Sequence, residues 1–267
     1  MNASTSSGAL HDAALNWLRR SFPAIIGVCQ LSIGVQIRLF IGQGRRRSHL
    51  RRRGPDDYIV PVAAELLYVA LGDSTAIGIG AGSGGGYPER IVAKLRPAFP
   101  TLKLLNLGQS GATSSDLLES QLPRALGTRP RLVTLGIGIN DVGLQIPDDA
   151  FALNLEETVV PLRKLGAPIA IANIPDLALA PAVARVVPRS LYERRIELFN
   201  DHITATAARH RLSLVDLYAW SREALPGRPK LFSPDGFHPS ARGYDVWAER
   251  MLPAVLALLR QSAPLFL

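Results

Sequence analysis

The stretch Leu67-Tyr68-Val69-Ala70-Leu71-Gly72-Asp73-Ser74-Thr75 decides how this chain is read. Leu67 to Leu71 is an unbroken apolar run of β-favouring residues, the pattern of a parallel strand buried on both faces. A serine just past the carboxyl end of such a strand stands where open α/β sheets place their ligands. Asp and Ser after a strand are also ordinary helix N-caps, so the triplet taken alone reads as a cap. The rest of the chain changes that balance.

With 267 residues, 47% of them hydrophobic, the chain can bury a sizeable core. Its one cysteine, Cys29, excludes an internal disulfide framework and a cysteine-based metal cluster. The net charge of +8 is unevenly placed: residues 1–57 hold nine Arg and three Asp, leaving 21 basic and 19 acidic residues for the remainder. The body is close to neutral, and no aromatic residues interleave with the arginines of the leader as a single-strand-binding groove requires. Nucleic acid is therefore not an expected partner.

Two domains are expected: a basic and apolar extension over 1–57, and a folded domain over 58–267. Within the extension, Phe22 to Gly42 is mostly apolar but interrupted by Gln30, Gln36 and Arg38, and Arg45–Arg47 and Arg51–Arg53 follow. A membrane span needs about 20 predominantly apolar residues, and a central arginine costs roughly 2.5–3.5 kcal/mol on insertion scales. A signal peptide needs a cleaner apolar region and a small-residue cleavage site. The expectation is an interfacial basic segment or an extension outside the fold. A cytoplasmic protein is favoured, with membrane contact through residues 22–53 left open, as is the oligomeric state.

From Leu67 onward strands and helices alternate. Strands are expected at Lys103–Leu107, Leu132–Ile137, Pro168–Ile174 and Leu212–Leu217. Helices are expected at Pro88–Leu95, Ser114–Leu126 (capped by Ser114 or Ser115), Phe151–Leu165 (ended by Gly166), Leu191–His210 and Ala241–Leu259. In the last, Trp247, Met251, Val255 and Leu259 recur at helical spacing. Five strands separated by helices argue for one parallel sheet covered on both faces, a three-layer α/β/α sandwich.

Four unusual clusters punctuate this pattern: Gly72-Asp73-Ser74, Asn106-Leu107-Gly108-Gln109-Ser110-Gly111-Ala112-Thr113, Gly138-Ile139-Asn140-Asp141, and Asp235-Gly236-Phe237-His238-Pro239-Ser240. Three follow strands and one precedes the closing helix, so all can converge on one sheet edge. Together they hold what acyl transfer requires. A serine hydroxyl is a weak nucleophile and needs a positioned base. His238 can be that base, and Asp235 can fix its tautomer. A tetrahedral oxyanion needs donors, which the N–H groups of Ser74 and Gly111 and the side-chain amide of Asn140 can supply.

This constellation resembles the SGNH, or GDSL-type, hydrolase family, named for Ser, Gly, Asn and His from four sequence blocks. The resemblance runs from about Tyr68 to Met251. It implies a flavodoxin-like fold and hydrolysis of esters or related acyl groups without metal or organic cofactor. Ser74 matches the nucleophile, Asn140 an oxyanion donor, and Asp235 and His238 the Asp-x-x-His pair. Gly111 is carried over as the glycine donor because Ser-Gly-Ala-Thr matches the family's Ser-Gly-Asp-Thr. Thr75 and Ala112 depart from the pattern. The expected substrate is a small-molecule carboxylic ester with an apolar acyl part.

Other readings stand beside this one. Asn140-Asp141 suits an ordinary turn, Asp235 a local cap, and His202 and His210 surface or packing positions. Ser110 lies in no G-x-S-x-G elbow, and none occurs in the chain, which argues against the α/β-hydrolase fold. The loop Gly78–Gly86 contains G-x-G-x-x-G at Gly80, Gly82 and Gly85, but no helix opens directly after the strand and no acid ends the next one, as a dinucleotide fingerprint requires. It reads as a flexible loop bordering the acyl pocket. The apolar, proline-bounded segment Asp176–Pro188 reads equally as a packed connection or as a lid. A carbohydrate or other O-deacetylase on the same fold is the alternative activity, with a nucleotide-binding or catalytically silent module behind it.

Overall fold

The computed structural model of the protein describes residues 66–185 and 188–261; the extension 1–57 and its apolar-basic segment 22–53 lie outside the described residues. Five strands form one sheet: β1 (Leu66–Gly72), β2 (Leu102–Asn106), β3 (Leu132–Gly136), β4 (Ile169–Ala172) and β5 (Ser213–Val215). They pair in parallel in the order β2-β1-β3-β4-β5. The helices are α1 (Ser74–Ile77), α2 (Tyr87–Leu95), the composite α3 (Ser114–Leu126), α4 (Ile139–Gly143), α5 (Asp148–Arg163), α6 (Pro181–Ala184), α7 (Arg189–His210), α8 (Leu217–Ala224) and α9 (Ala241–Gln261).

The strand order dictates the layers. The step from β1 to β2 runs in the opposite direction to all later steps, and parallel crossovers are right-handed. The helix of the first crossover, α2, therefore covers one face, and α3, α5 and α7 cover the other. The closing helix α9 packs beside α2, while α7 packs on α5. The result is the three-layer, flavodoxin-like sandwich, with its reversal of direction at β1 and β3. Ligands in such sheets bind outside the carboxyl ends at that reversal.

The central strands are apolar because helices cover both their faces, and Tyr68, Val69, Ala70 and Leu71 are wholly buried. Across the middle of the sheet the Tyr68 hydroxyl pairs with the Thr134 hydroxyl, at 2.8 Å. On the α5–α7 side, the Phe151 and Phe199 rings stack at 4.6 Å.

Several boundaries differ from those expected. The Ser114–Leu126 helix is not one regular α-helix. It starts as Ser114–Asp116, passes through a π turn at Leu117–Gln121 and resumes as Leu122–Leu126. Pro123 has no N–H to give the carbonyl one turn back, and a widened turn just before it is a common adjustment. Its cap is Thr113 rather than Ser114 or Ser115: the Thr113 hydroxyl accepts the Asp116 N–H, and the Asp116 carboxylate accepts the Thr113 N–H. The helix expected from Phe151 begins at Asp148, behind Pro147 and with two Asp in its first turn. α8 was not anticipated; Asp216 caps it by accepting the Ala219 N–H. His202 and His210 face Asp148 and Glu156 across the α5–α7 contact, at 3.2 and 2.6 Å.

Gln121, on the π turn, is completely buried. Its side chain accepts the Gly72 N–H at 2.9 Å and donates to the Gly72 carbonyl at 2.8 Å, holding the end of β1 as a further strand would. Gln121→Leu removes both bonds and leaves the Gly72 N–H buried without a partner. We expect a loss of about 1–3 kcal/mol in unfolding free energy, measured by urea titration. An unchanged midpoint would show that the clasp contributes nothing.

Candidate active site

Ser74 opens α1 directly after β1, and is buried with its neighbours Asp73 and Thr75. Asp73 caps this turn: its Oδ1 accepts both the N–H and the hydroxyl of Thr75, each at 2.8 Å. The cap reading and the nucleophile position thus fall on adjacent residues. The loop after β2 runs along the same end of β1, with the N–H groups of Leu107 and Gln109 donating to the carbonyls of Ala70 and Gly72. Asn106 holds this loop down by donating to the Ala76 carbonyl and to Glu89.

The residues 231–240 form a tight return. Phe232 bridges Pro239, the Ser233 N–H donates to the His238 carbonyl, and the Ser240 N–H donates to the Leu231 carbonyl. Within it Asp235 Oδ1 accepts the Ser233 hydroxyl and the N–H groups of Phe237 and His238. Asp235 Oδ2 lies 2.7 Å from His238 Nδ1, and His238 Nε2 lies 3.0 Å from Ser74 Oγ. The Phe237 ring meets the imidazole edge-on, at 5.2 Å. The structure therefore brings Ser74, His238 and Asp235 into one hydrogen-bonded chain.

The electrostatics fix its direction. Burial pushes the Asp235 carboxyl up, but hydrogen bonds from Phe237, the imidazole, Ser233 and the His238 N–H outweigh it and hold the pKa below the ordinary value. An ionised carboxylate only accepts, so Nδ1 carries the imidazole proton and Nε2 is free to accept from the serine hydroxyl. Asp73 goes the other way. Its burial dominates the bonds from Thr75 and raises its pKa.

Gly111 and Asn140 are brought together. Asn140 Nδ2 donates to the carbonyl of Ala112, the neighbour of Gly111, at 2.9 Å. Gly111 has φ +75, a left-handed backbone conformation that suits glycine. A second tie joins the two loops. Buried Asp141 accepts the Ser114 N–H with both oxygens at 3.0 Å and the Ser114 hydroxyl at 2.6 Å. Asn154 donates to the same hydroxyl. Arg195 fastens the α4 turn from α7 through the carbonyls of Val142 and Ile146. Sequence reasoning missed Asp141, Ser114 and Arg195 as supports, although the Asn-Asp pair was singled out.

A mostly apolar cavity of about 50 Å³ opens beside Ser74 and His238, walled by Leu177, Trp220, Leu231 and Phe237 among others. The segment from Asp176 forms part of its wall, and the Ala182 N–H donates to the Gly236 carbonyl of the His238 loop. The loop Gly78–Gly86 does not line this cavity, contrary to expectation. It packs instead against the His238 loop, where a Cβ on Gly80 would lie 2.8 Å from the Pro239 carbonyl oxygen. Among the described residues no three His, Cys, Asp or Glu side chains converge as metal ligands would, and no helix is long and apolar enough to cross a membrane.

The family model described as GDSL-like Lipase/Acylhydrolase matches residues 70–246. Among curated proteins none matches. The solved structure of LAE5, an alpha/beta hydrolase enzyme from the metagenome of Lake Arreo, Spain, shares 27% identity with a TM-score of 0.60, covering 73% of this chain and 97% of that one. TesA shares 24% identity with a TM-score of 0.61, covering 72% and 99%. The psychrotrophic esterase EstA from Pseudoalteromonas sp., solved with monoethylphosphonate as inhibitor, shares 21% identity with a TM-score of 0.59, covering 73% and 98%.

A carboxylate held below its unfolded pKa stabilises the fold above that value, and the contribution is lost as pH falls through the folded pKa. Wild type should therefore melt above Asp235→Asn at neutral pH, and the gap should close as the pH is lowered through the carboxylate range. Melting curves across that range test this, and a gap independent of pH would refute it.

Proposed function

This chain belongs to the GDSL-like lipase/acylhydrolase family and is a hydrolase of ester bonds, and on that premise we propose that Ser74, His238 and Asp235 carry the reaction. The observation behind the reading is the unbroken chain from Asp235 Oδ2 through the imidazole to Ser74 Oγ, at 2.7 and 3.0 Å. Ser74 Oγ attacks the ester carbonyl carbon while His238 Nε2 takes its proton. Asp235 stabilises the resulting imidazolium. The tetrahedral intermediate collapses as Nε2 returns that proton to the departing alcohol, leaving the acyl group on Ser74. Water then attacks the acyl-enzyme, gives its proton to Nε2, and the carboxylic acid leaves as Ser74 recovers its hydrogen.

The N–H groups of Ser74 and Gly111 and the Asn140 amide are the donors for the oxyanion. Asn140 already spends one amide hydrogen on Ala112, which orients the group and leaves the other for the substrate. Donors fixed before the reaction contribute most, since they need no reorganisation as charge develops. Asp141 acts here as a positioning residue, because it ties the Gly111 loop to the turn that carries Asn140.

The cavity beside Ser74 supports a substrate with a short apolar acyl group. Its walls are mostly apolar, and about 50 Å³ suits a few carbons rather than a long chain. The segment Asp176–Ala184 serves this reading as a wall rather than a lid.

Hydrolysis of p-nitrophenyl acetate and butyrate should be faster than that of the octanoate. Ser74→Ala should lower kcat by at least about 10³-fold, with circular dichroism unchanged. Full activity in that variant would mean another nucleophile. Asn140→Ala should cost about 10²–10³ in kcat. If Asp141 works through the same donors, Asp141→Asn should slow wild type with little change in KM but slow Asn140→Ala far less. Equal effects in both backgrounds would make Asp141 merely structural.

A further inference from the structure

A second, smaller cavity of about 10 Å³ adjoins the first and shares Thr75, Ile139, Pro175 and Trp247 with it. Its wall also includes Asp73, Tyr87 and Asn173. Among the described residues, five buried side-chain atoms lack a hydrogen-bond partner, and three belong to this one wall: Asp73 Oδ2, the Tyr87 hydroxyl and Trp247 Nε1. The three residues are at most 8% exposed, so bulk solvent does not serve them. Neighbouring groups are already committed. Asp73 Oδ1 is taken by Thr75, and the Thr134 hydroxyl, which also acts on the Tyr87 hydroxyl, is hydrogen-bonded to Tyr68 at 2.8 Å. Asn173 accepts from the N–H groups of Leu217 and Tyr218 and donates to Asp216. The Tyr87 and Trp247 rings lie nearly parallel, 6.2 Å apart, so both polar tips are held in place.

The unmet capacity has a definite composition. Trp247 Nε1 only donates, the Tyr87 hydroxyl donates or accepts, and Asp73 Oδ2 accepts when ionised and donates when protonated. A hydroxyl, which both donates and accepts, complements this set in either state of Asp73. The volume matches about one water. We propose that this cavity is a binding site for a single hydroxyl group, formed by Asp73, Tyr87 and Trp247 beside the larger cavity at Ser74. Two molecules carry that chemistry, solvent water and a hydroxyl on the acyl part of a substrate. The second source rests on the reading of Ser74 as the nucleophile; the first does not.

A high-resolution crystal structure of the full chain should show an oxygen in the cavity about 2.7–3.2 Å from all three atoms. In parallel, kcat/KM is compared for the p-nitrophenyl esters of butyrate and 3-hydroxybutyrate, in wild type and in Tyr87→Phe. An ordered oxygen with equal kcat/KM for the two esters identifies solvent water as the ligand. A preference of about tenfold or more for the hydroxy ester, lost in Tyr87→Phe, identifies a substrate hydroxyl. A dry cavity together with no preference overturns the proposal. Failure of the Ser74 reading would show separately, as activity surviving Ser74→Ala, and leaves the crystallographic arm intact.

Discussion

Two glycines facing each other hold the site together. Gly72 ends β1 and Gly136 ends β3, and the pairing register sets them side by side. A Cβ on Gly72 would lie 2.7 Å from the Gly136 carbonyl oxygen, so only glycine lets the two central strands run together to their last residue. From that point the chain parts in two directions, into the α1 turn with Ser74 and into the α4 turn with Asn140. The loop after β2 fills the gap along β1 and brings Gly111. Gln121 then locks Gly72 from the helix side. Every later distance in the site is measured from this fixed end.

The serine has two carboxylates close by in chain or space, and their surroundings drive them apart. Asp235 is part-exposed and ringed by four donors, which favours its charge. Asp73 is buried with only Thr75 to serve it, which disfavours its charge. The same functional group thus takes two roles from its setting alone: Asp235 orients an imidazole, and Asp73 caps the turn that presents the serine. This contrast follows from hydrogen-bond supply and burial rather than from residue type.

What was legible in the sequence follows from how far each residue's partners lie along the chain. β1, β3 and β4 were readable because burial on both faces makes a strand apolar throughout. β5 is a three-residue edge strand with only Val215 buried, and its expected limits were too wide. α8 spans eight residues, too short for a periodic signature. The π turn depends on how Pro123 is accommodated, which no periodicity reveals. Ser74 and Asn140 stood out as polar residues just past strand ends, and Asp235 and His238 as a polar pair just before the closing helix. Gly111 needed the family resemblance, since a glycine announces no chemistry. Asp141 and Gln121 were silent because their partners lie 27 and 49 residues away, and a sequence does not display such pairings.

The hydrogen bond between His238 and Ser74 joins residues 164 positions apart. The serine follows β1, and the histidine sits on a loop that leads straight into α9. Since α9 packs on α2, the placing of the imidazole depends on how the closing helix docks against the helix of the first crossover. The contact between His238 and Ser74 is thereby tied to a helix pairing outside the site: a change that loosens α9 from α2 moves the imidazole without touching either residue of the pair.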